Sequence, residues 1–303
     1  MAFVTSQQQA QGLVIPPEVV ESALQSIGAF FEPISKLDRQ TNVRDFLGTE
    51  RSFKRAEILQ RYTPMMSKQL LEIGSGFGTN LAVWIKYFGV EGYGIEPGEI
   101  GFDQGFLGSQ KVLPANGIDP KRIRNACGES LPFPDESFDI VYSANVLEHT
   151  LDPEQVLREA ARVLRKGGIL HMEMPNFLSY YEGHYCVLQP PLFWKPILPL
   201  WVKWVFGRDP AFARTLHTEI NPLWCRRAVK MLNKTYPMQL ISLGEELFLE
   251  RLKTAFRFEE EGTSLKIGGM VSLAQKLNKG NCVGRLIVAA QGHYPLYMTI
   301  RKL

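Results

Sequence analysis

The sequence predicts an α/β fold built on a mostly parallel sheet. Two observations carry that reading. Short apolar runs alternate with helical stretches from Gln69 to Met174, and the first run empties into a glycine-rich turn that opens a helix. Parallel neighbours need crossover connections of about a dozen residues or more, and this spacing supplies them. Hydrophobic residues make up 45% and charged residues 21% of the 303, which excludes a disordered or collagen-like chain. A net charge of +3 is too small to point to a nucleic-acid binder.

Residues 1–50 read as a polar tail and a helical extension. Pro16 and Pro17 suit a helix start, Val20, Leu24, Ile27 and Phe31 recur on one face, and Pro33 is expected to end the helix. A second helix is predicted near 52–62. Residues 69–73 form the first strand, and Leu81, Trp84, Ile85 and Phe88 give a helical stripe closed by Gly89. Strands follow at 92–96, 123–127 and 138–143. Asp152 and Pro153 start the next helix, and Arg165 and Lys166 are placed at its negative end before Gly167-Gly168. Residues 169–174 make a fifth strand.

After Pro175 the rhythm breaks. Residues 176–222 hold six prolines, the large aromatics Phe193, Trp194, Trp201, Trp204 and Phe206, and no convincing strand. They read as a lid over the carboxyl edge, where open α/β sheets bind ligands. A helix at 223–232 and a strand at 238–243 come next. Helices are expected near 245–256 and 264–279, and a strand at 296–302 to close the sheet, with 285–290 competing for that role.

Cys127, Cys186, Cys225 and Cys282 lack CxxC spacing, so no zinc or disulfide framework is indicated and a reducing, cytoplasmic location is expected. No Lys or Arg precedes Lys36, against a targeting segment. The apolar stretch 197–206 is broken by Pro199 and Lys203 and falls short of the ~20 residues that a membrane span needs.

The glycine turn runs Glu72-Ile73-Gly74-Ser75-Gly76-Phe77-Gly78-Thr79-Asn80. A dinucleotide fingerprint would need glycine where Thr79 stands, so the spacing disfavours a pyrophosphate, and the acidic Glu72 suits a positively charged ligand. This pattern resembles motif I of class I S-adenosylmethionine-dependent methyltransferases. Tyr93-Gly94-Ile95-Glu96-Pro97 is similar to their second-strand motif, whose acid accepts hydrogen bonds from both ribose hydroxyls. The run from Gly128-Glu129-Ser130-Leu131-Pro132-Phe133 to Asp139, Ser143-Ala144-Asn145-Val146-Leu147-Glu148-His149, and Leu164-Arg165-Lys166-Gly167-Gly168 resemble the ubiquinone/menaquinone-type (methyltransferase type 11) group.

The resemblance implies a Rossmann-like, doubly wound, seven-stranded sheet with helices on both faces. It divides the chain into an S-adenosylmethionine-binding core at 51–176, the lid at 177–222 and a C-terminal part of the sheet at 223–303. It also implies S-adenosyl-L-methionine as cofactor, bound by Glu72, Gly74, Ser75, Gly76, Phe77, Gly78, Asn80, Glu96, Pro97, Gly128, Glu129, Ser130, Asn145 and Glu148. Cys127 stands where this group often has an aspartate, so adenine recognition falls to the Gly128 amide and Glu129.

Methyl transfer from a sulfonium is mainly a positioning problem, with a base needed for a hydroxyl or ammonium acceptor. His149, His184 and Tyr181 are the candidates for the catalytic end, and no metal is expected. Ser143-Ala144-Asn145-Val146 is not the Asn/Asp-Pro-Pro-aromatic run of nucleic-acid amine methyltransferases, so the acceptor is expected to be a small or lipid-like molecule, a sugar included, with no nucleic-acid partner. The aromatic insertion offers an acceptor tunnel or a shallow membrane contact. A nicotinamide-dependent oxidoreductase and a catalytically inactive binding module are the alternatives.

Overall fold

The computed structural model describes residues 12–98, 103–191, 195–254 and 282–303. The predicted helix at 264–279 lies outside them, as do Phe193 and Trp194. Helices α1 (Pro17–Ala23) and α2 (Ala29–Ser35) are joined by a π-helical turn at Leu24–Gly28. Pro33 does not end this rod, contrary to expectation. The stop comes at Lys36, whose φ of +61° turns the chain while its N–H bonds to the Glu32 carbonyl. Then come α3 (Arg39–Leu47), α4 (Thr49–Gln60), β1 (Gln69–Ile73), α5 (Thr79–Phe88), β2 (Glu91–Glu96), α6 (Asp103–Ala115), β3 (Ile123–Asn125) and β4 (Phe138–Ala144). The chain continues through α7 (Pro153–Val163), β5 (Leu164–Met174), a small hairpin of β6 (Tyr181–Glu182) and β7 (Val187–Leu188), α8 (Ile197–Trp204) and α9 (Ala211–Thr215). It ends with α10 (Pro222–Leu232), β8 (Met238–Ser242), α11 (Glu245–Thr254), α12 (Cys282–Ala289) and β9 (Leu296–Lys302).

Seven strands form one sheet in the order β3-β2-β1-β4-β5-β9-β8, with β1 to β5 parallel and β9 antiparallel to both its neighbours. So β9 does not close an edge; it threads between β5 and β8. Residues 285–290 are mostly helix α12 rather than a rival strand. Arg165 and Lys166 are also corrected, because α7 stops at Val163 and both belong to the extended start of β5. The Gly167-Gly168 pair sits inside that strand, where Gly167 has φ +78°. Helix α6 carried no periodicity strong enough to be foreseen.

Consecutive strand residues bury in opposite directions. Leu70, Ile140 and Ile169 pack with Leu81, Val83 and Trp84 of α5, while Leu71, Val141 and Leu170 pack with Val156 and Ala160 of α7. Covering both faces is what a parallel sheet requires. Trp84 is wholly buried, meets the Tyr142 ring edge-on at 4.8 Å, and donates from Nε1 to the Ser52 carbonyl at 2.9 Å.

Part of the 176–222 segment belongs to that core. Tyr185, Leu198, Val202, Leu216 and Ile220 are wholly buried in the cluster on the α7 side. Phe212 packs edge-on against Phe30 and Phe31, with ring centres 5.5 and 5.7 Å away. Trp201 donates to the Leu188 carbonyl, whereas Trp204 stays 75% exposed. Among the described residues no helix is long and apolar enough to cross a membrane.

Candidate active site

The carboxyl ends of β1 and β2 are laced together at the glycine turn. Gly74 and Ser75 donate their N–H groups to the Ile95 carbonyl at 3.0 and 2.9 Å, and Gly76 donates to Glu96 Oε2 at 2.8 Å. The three glycines serve different ends. A Cβ on Gly74 would lie 2.3 Å from Val146, and one on Gly78 would lie 2.5 Å from Leu113, so those two let the turn pack. A Cβ on Gly76, at φ +51°, would meet nothing within 4 Å, because that side faces a cavity.

The cavity holds about 930 Å³ and runs from this turn to the β6–β7 hairpin and α4. Its wall includes the predicted Gly74, Ser75, Gly76, Phe77, Asn80, Glu96, Pro97, Gly128, Glu129, Asn145, His149, Tyr181 and His184, with Cys127 beside them. Four predicted residues are not on the wall. Gly78 is packed as described, and Ser130 turns back so that its N–H meets the Cys127 carbonyl at 3.2 Å. Glu72 and Glu148 are buried behind the surface. Glu129 is on the wall, but its Oε1 accepts the Leu151 N–H at 2.9 Å and so ties down the loop entering α7. Asn145 takes φ +54° and donates its N–H to the Glu173 carbonyl.

Glu72, read from the sequence as suited to a positively charged ligand, lies buried behind the cavity wall. Burial pushes its carboxyl up to about 8, and Oε1 accepts from Asn80 Nδ2 at 2.8 Å, so it orients the asparagine that reaches the cavity. Its raised value has a consequence for stability. The folded chain holds a proton that the unfolded chain releases near 4.5, so this contribution is present below that pH and lost as pH rises through about 8. Glu72→Gln should therefore flatten the fall in unfolding free energy over that window by on the order of a few kcal/mol, as measured by urea titration at several pH values. Identical pH profiles for the two proteins would refute it. Burial likewise pushes Glu96 up to about 7, against the Gly76 hydrogen bond.

Two of the three catalytic candidates, His149 and His184, come together, while Tyr181 lies against Tyr294, with ring centres 5.4 Å apart. His149 follows β4 and His184 sits in the turn of the β6–β7 hairpin, yet their Nε2 atoms are 3.3 Å apart. Glu148 Oε1 is 3.8 Å from both. Both carboxylate oxygens of Glu148 are buried with no hydrogen-bond partner, and burial pushes the group up to about 7. His184 Nδ1 lies 2.6 Å from Glu182 Oε1, and although burial opposes the charged ring, Glu182 lifts His184 above its ordinary value. Burial, then His184 and His217, pull His149 down to about 3. His171 is a core histidine: it is buried against Tyr142 and Tyr297 and bonded to Thr299 Oγ1.

Several wall residues escaped the sequence reading. Arg55 Nε pairs with Glu173 Oε2 at 2.9 Å, with the two side chains 12% and 14% exposed, and Tyr142 Oη donates to the same oxygen at 3.3 Å. Burial works to raise Glu173, but Arg55 holds it below the usual carboxylate value. A charge between Met172 and Met174, at the buried end of β5, was the available signal. Tyr294, Tyr297 and Arg251 complete this end, Arg251 donating to Tyr297 Oη at 2.8 Å.

Residues 71–172 match the family described as Methyltransferase domain. An uncharacterized methyltransferase of Mycobacterium avium is 33% identical over 121 residues, 39% of this chain and 43% of that protein. One from Mycobacterium leprae is 31% identical over 125 residues, 40% of this chain and 42% of its own length. The chain thus spans under half the length of the curated relatives it matches. Among solved structures, Haemonchus contortus phosphoethanolamine N-methyltransferase 2 in complex with S-adenosyl-L-methionine is similar at 15% identity and a TM-score of 0.49, over 92% of this chain and 60% of that one. The YcgJ protein from Bacillus subtilis is similar at 17% identity and a TM-score of 0.45, over 83% and 97%. With the sheet order and the glycine turn in place, residues 71–172 belong to the methyltransferase-domain family, of the class I S-adenosylmethionine-dependent type.

Proposed function

We propose that this chain transfers the methyl group of S-adenosylmethionine to an oxygen, nitrogen or carbon of a small or lipid-like acceptor. The observation that carries the reading is the open side of Gly76 under the Glu96 carboxylate. A ribose fits there with its two hydroxyls on Glu96, and a side chain on residue 76 would fill the space. Bound S-adenosylmethionine supplies a methyl group already activated on a sulfonium. The protein's own work is then to hold the cofactor on the glycine turn, Asn80 and Asn145, and to bring the acceptor against His149, His184 and Tyr181. Phe31, Phe46, Phe248, Leu252, Tyr294 and Tyr297 wall the far end, apolar and aromatic as a lipid-like or ring-bearing acceptor requires.

Calorimetry tests this directly. S-adenosylmethionine and its demethylated product should bind with micromolar affinity, and NAD should not. Gly76→Val should abolish binding in a protein whose thermal unfolding remains cooperative. Binding of NAD instead, or a folded Gly76→Val protein that binds as tightly as the parent, would sink the proposal.

A further inference from the structure

We propose that Glu148, His149 and His184 hold a divalent transition-metal ion of the zinc type in the cavity wall. The sequence led to the opposite expectation, because residues 148 and 149 are far along the chain from 184 and no ligand spacing shows. The fold removes that separation. His149 Nε2, His184 Nε2 and Glu148 Oε1 form a triangle with sides of 3.3, 3.8 and 3.8 Å. The centre of such a triangle is about 2.1 Å from each corner, the bond length of zinc to imidazole nitrogen and carboxylate oxygen.

Three further features fit a metal site. Glu148 is wholly buried with both oxygens unpartnered, and a cation beside it would satisfy a group that is otherwise costly to bury. Glu182 Oε1, 2.6 Å from His184 Nδ1, accepts a hydrogen bond from Nδ1–H and leaves the Nε2 lone pair facing the triangle. Carboxylate support of this kind fixes the tautomer of metal-bound histidines. Phe212 lies 5.7 and 5.4 Å from the two imidazole rings and supplies an apolar shell.

Two histidines and one carboxylate leave at least one position open, and His149 and His184 both line the cavity. The ligand for that position is an oxygen of the acceptor, a hydroxyl or enol, which the ion would orient and help to release its proton to solvent. This last step rests on the methyltransferase reading; the metal site does not.

The experiment uses the whole chain, stripped with a chelator, titrated with zinc chloride and dialysed before elemental analysis. One equivalent of zinc should be retained. Glu148→Gln and His184→Ala should each weaken zinc binding at least tenfold, and Glu182→Gln, which supports the His184 ring without reaching the ion, by roughly tenfold. Should Glu148→Gln fail to fold, the visible absorption of cobalt(II) in the parent chain and its loss in His184→Ala decide the matter. A folded parent that binds S-adenosylmethionine but retains no zinc and shows no cobalt bands overturns the site. So does zinc held equally by all the variants. Zinc retained and lost in the variants, in a chain that does not bind S-adenosylmethionine, would support the metal site and count against the proposed function alone.

Discussion

Glu96→Ala should weaken S-adenosylmethionine binding by about 2–4 kcal/mol, roughly thirty- to several-hundred-fold, while the protein stays folded. The carboxylate is 8% exposed and pinned by the Gly76 N–H, and Gly105 packs so closely that a Cβ there would come within 2.9 Å of Glu96 Oε1. Two ribose hydroxyls would lose a charged acceptor that cannot be replaced by water from the protein side. Because burial pushes the Glu96 carboxyl up to about 7, affinity in the parent should fall as pH drops below that value, and Glu96→Gln should bind weakly with a flat profile. Calorimetry across pH reads both effects. Unchanged affinity in Glu96→Ala would mean that the ribose lies elsewhere.

Arg55→Ala should cost about 3 kcal/mol of stability, the lower end for breaking a buried ion pair. It strands the Glu173 carboxylate at the end of β5, with Tyr142 Oη as a remaining donor at 3.3 Å. The pair ties α4 to the sheet, so the loss should appear as a shift in the urea midpoint rather than in cofactor affinity alone. Arg55→Met combined with Glu173→Met should recover most of it, since the apolar pair leaves no buried charge. A double variant as unstable as Arg55→Ala would show that the ion pair is not the source of the loss.

The cofactor half of the molecule was legible in the sequence because its signals are local. The glycine turn, the acid ending β2 and the Asp152 cap, whose side chain accepts from Gln155 N, each fall within a few residues of the feature they create. What escaped needed contacts between distant segments. The spacing of Glu148 and His184 says nothing of a 3.8 Å approach, and Arg55 and Glu173 meet across 118 residues. Helix α6 hid because Gly105, Gly108 and Pro114 dilute its pattern, and two of those residues are there to let Glu96 and Phe77 approach. Arg165 and Lys166 were misplaced because cations and glycines mark helix ends in general, while here β5 begins directly after α7. Pro33 was read as a stop, although the helix continues to Ser35.

The placement of β9 sets an order of events for folding. β5 pairs with β9 across more than 120 residues, whereas β1, β2 and β4 find their partners much closer along the chain. Closing so long a loop is entropically slow, and the outer edge of β5 stays open until it happens. The glycine cradle therefore has the means to assemble early, while the Tyr294–Tyr297 wall waits for the last strand to insert. During that interval the unpaired edge of β5 is a template for intermolecular pairing, and cofactor captured by the first half cannot protect the second.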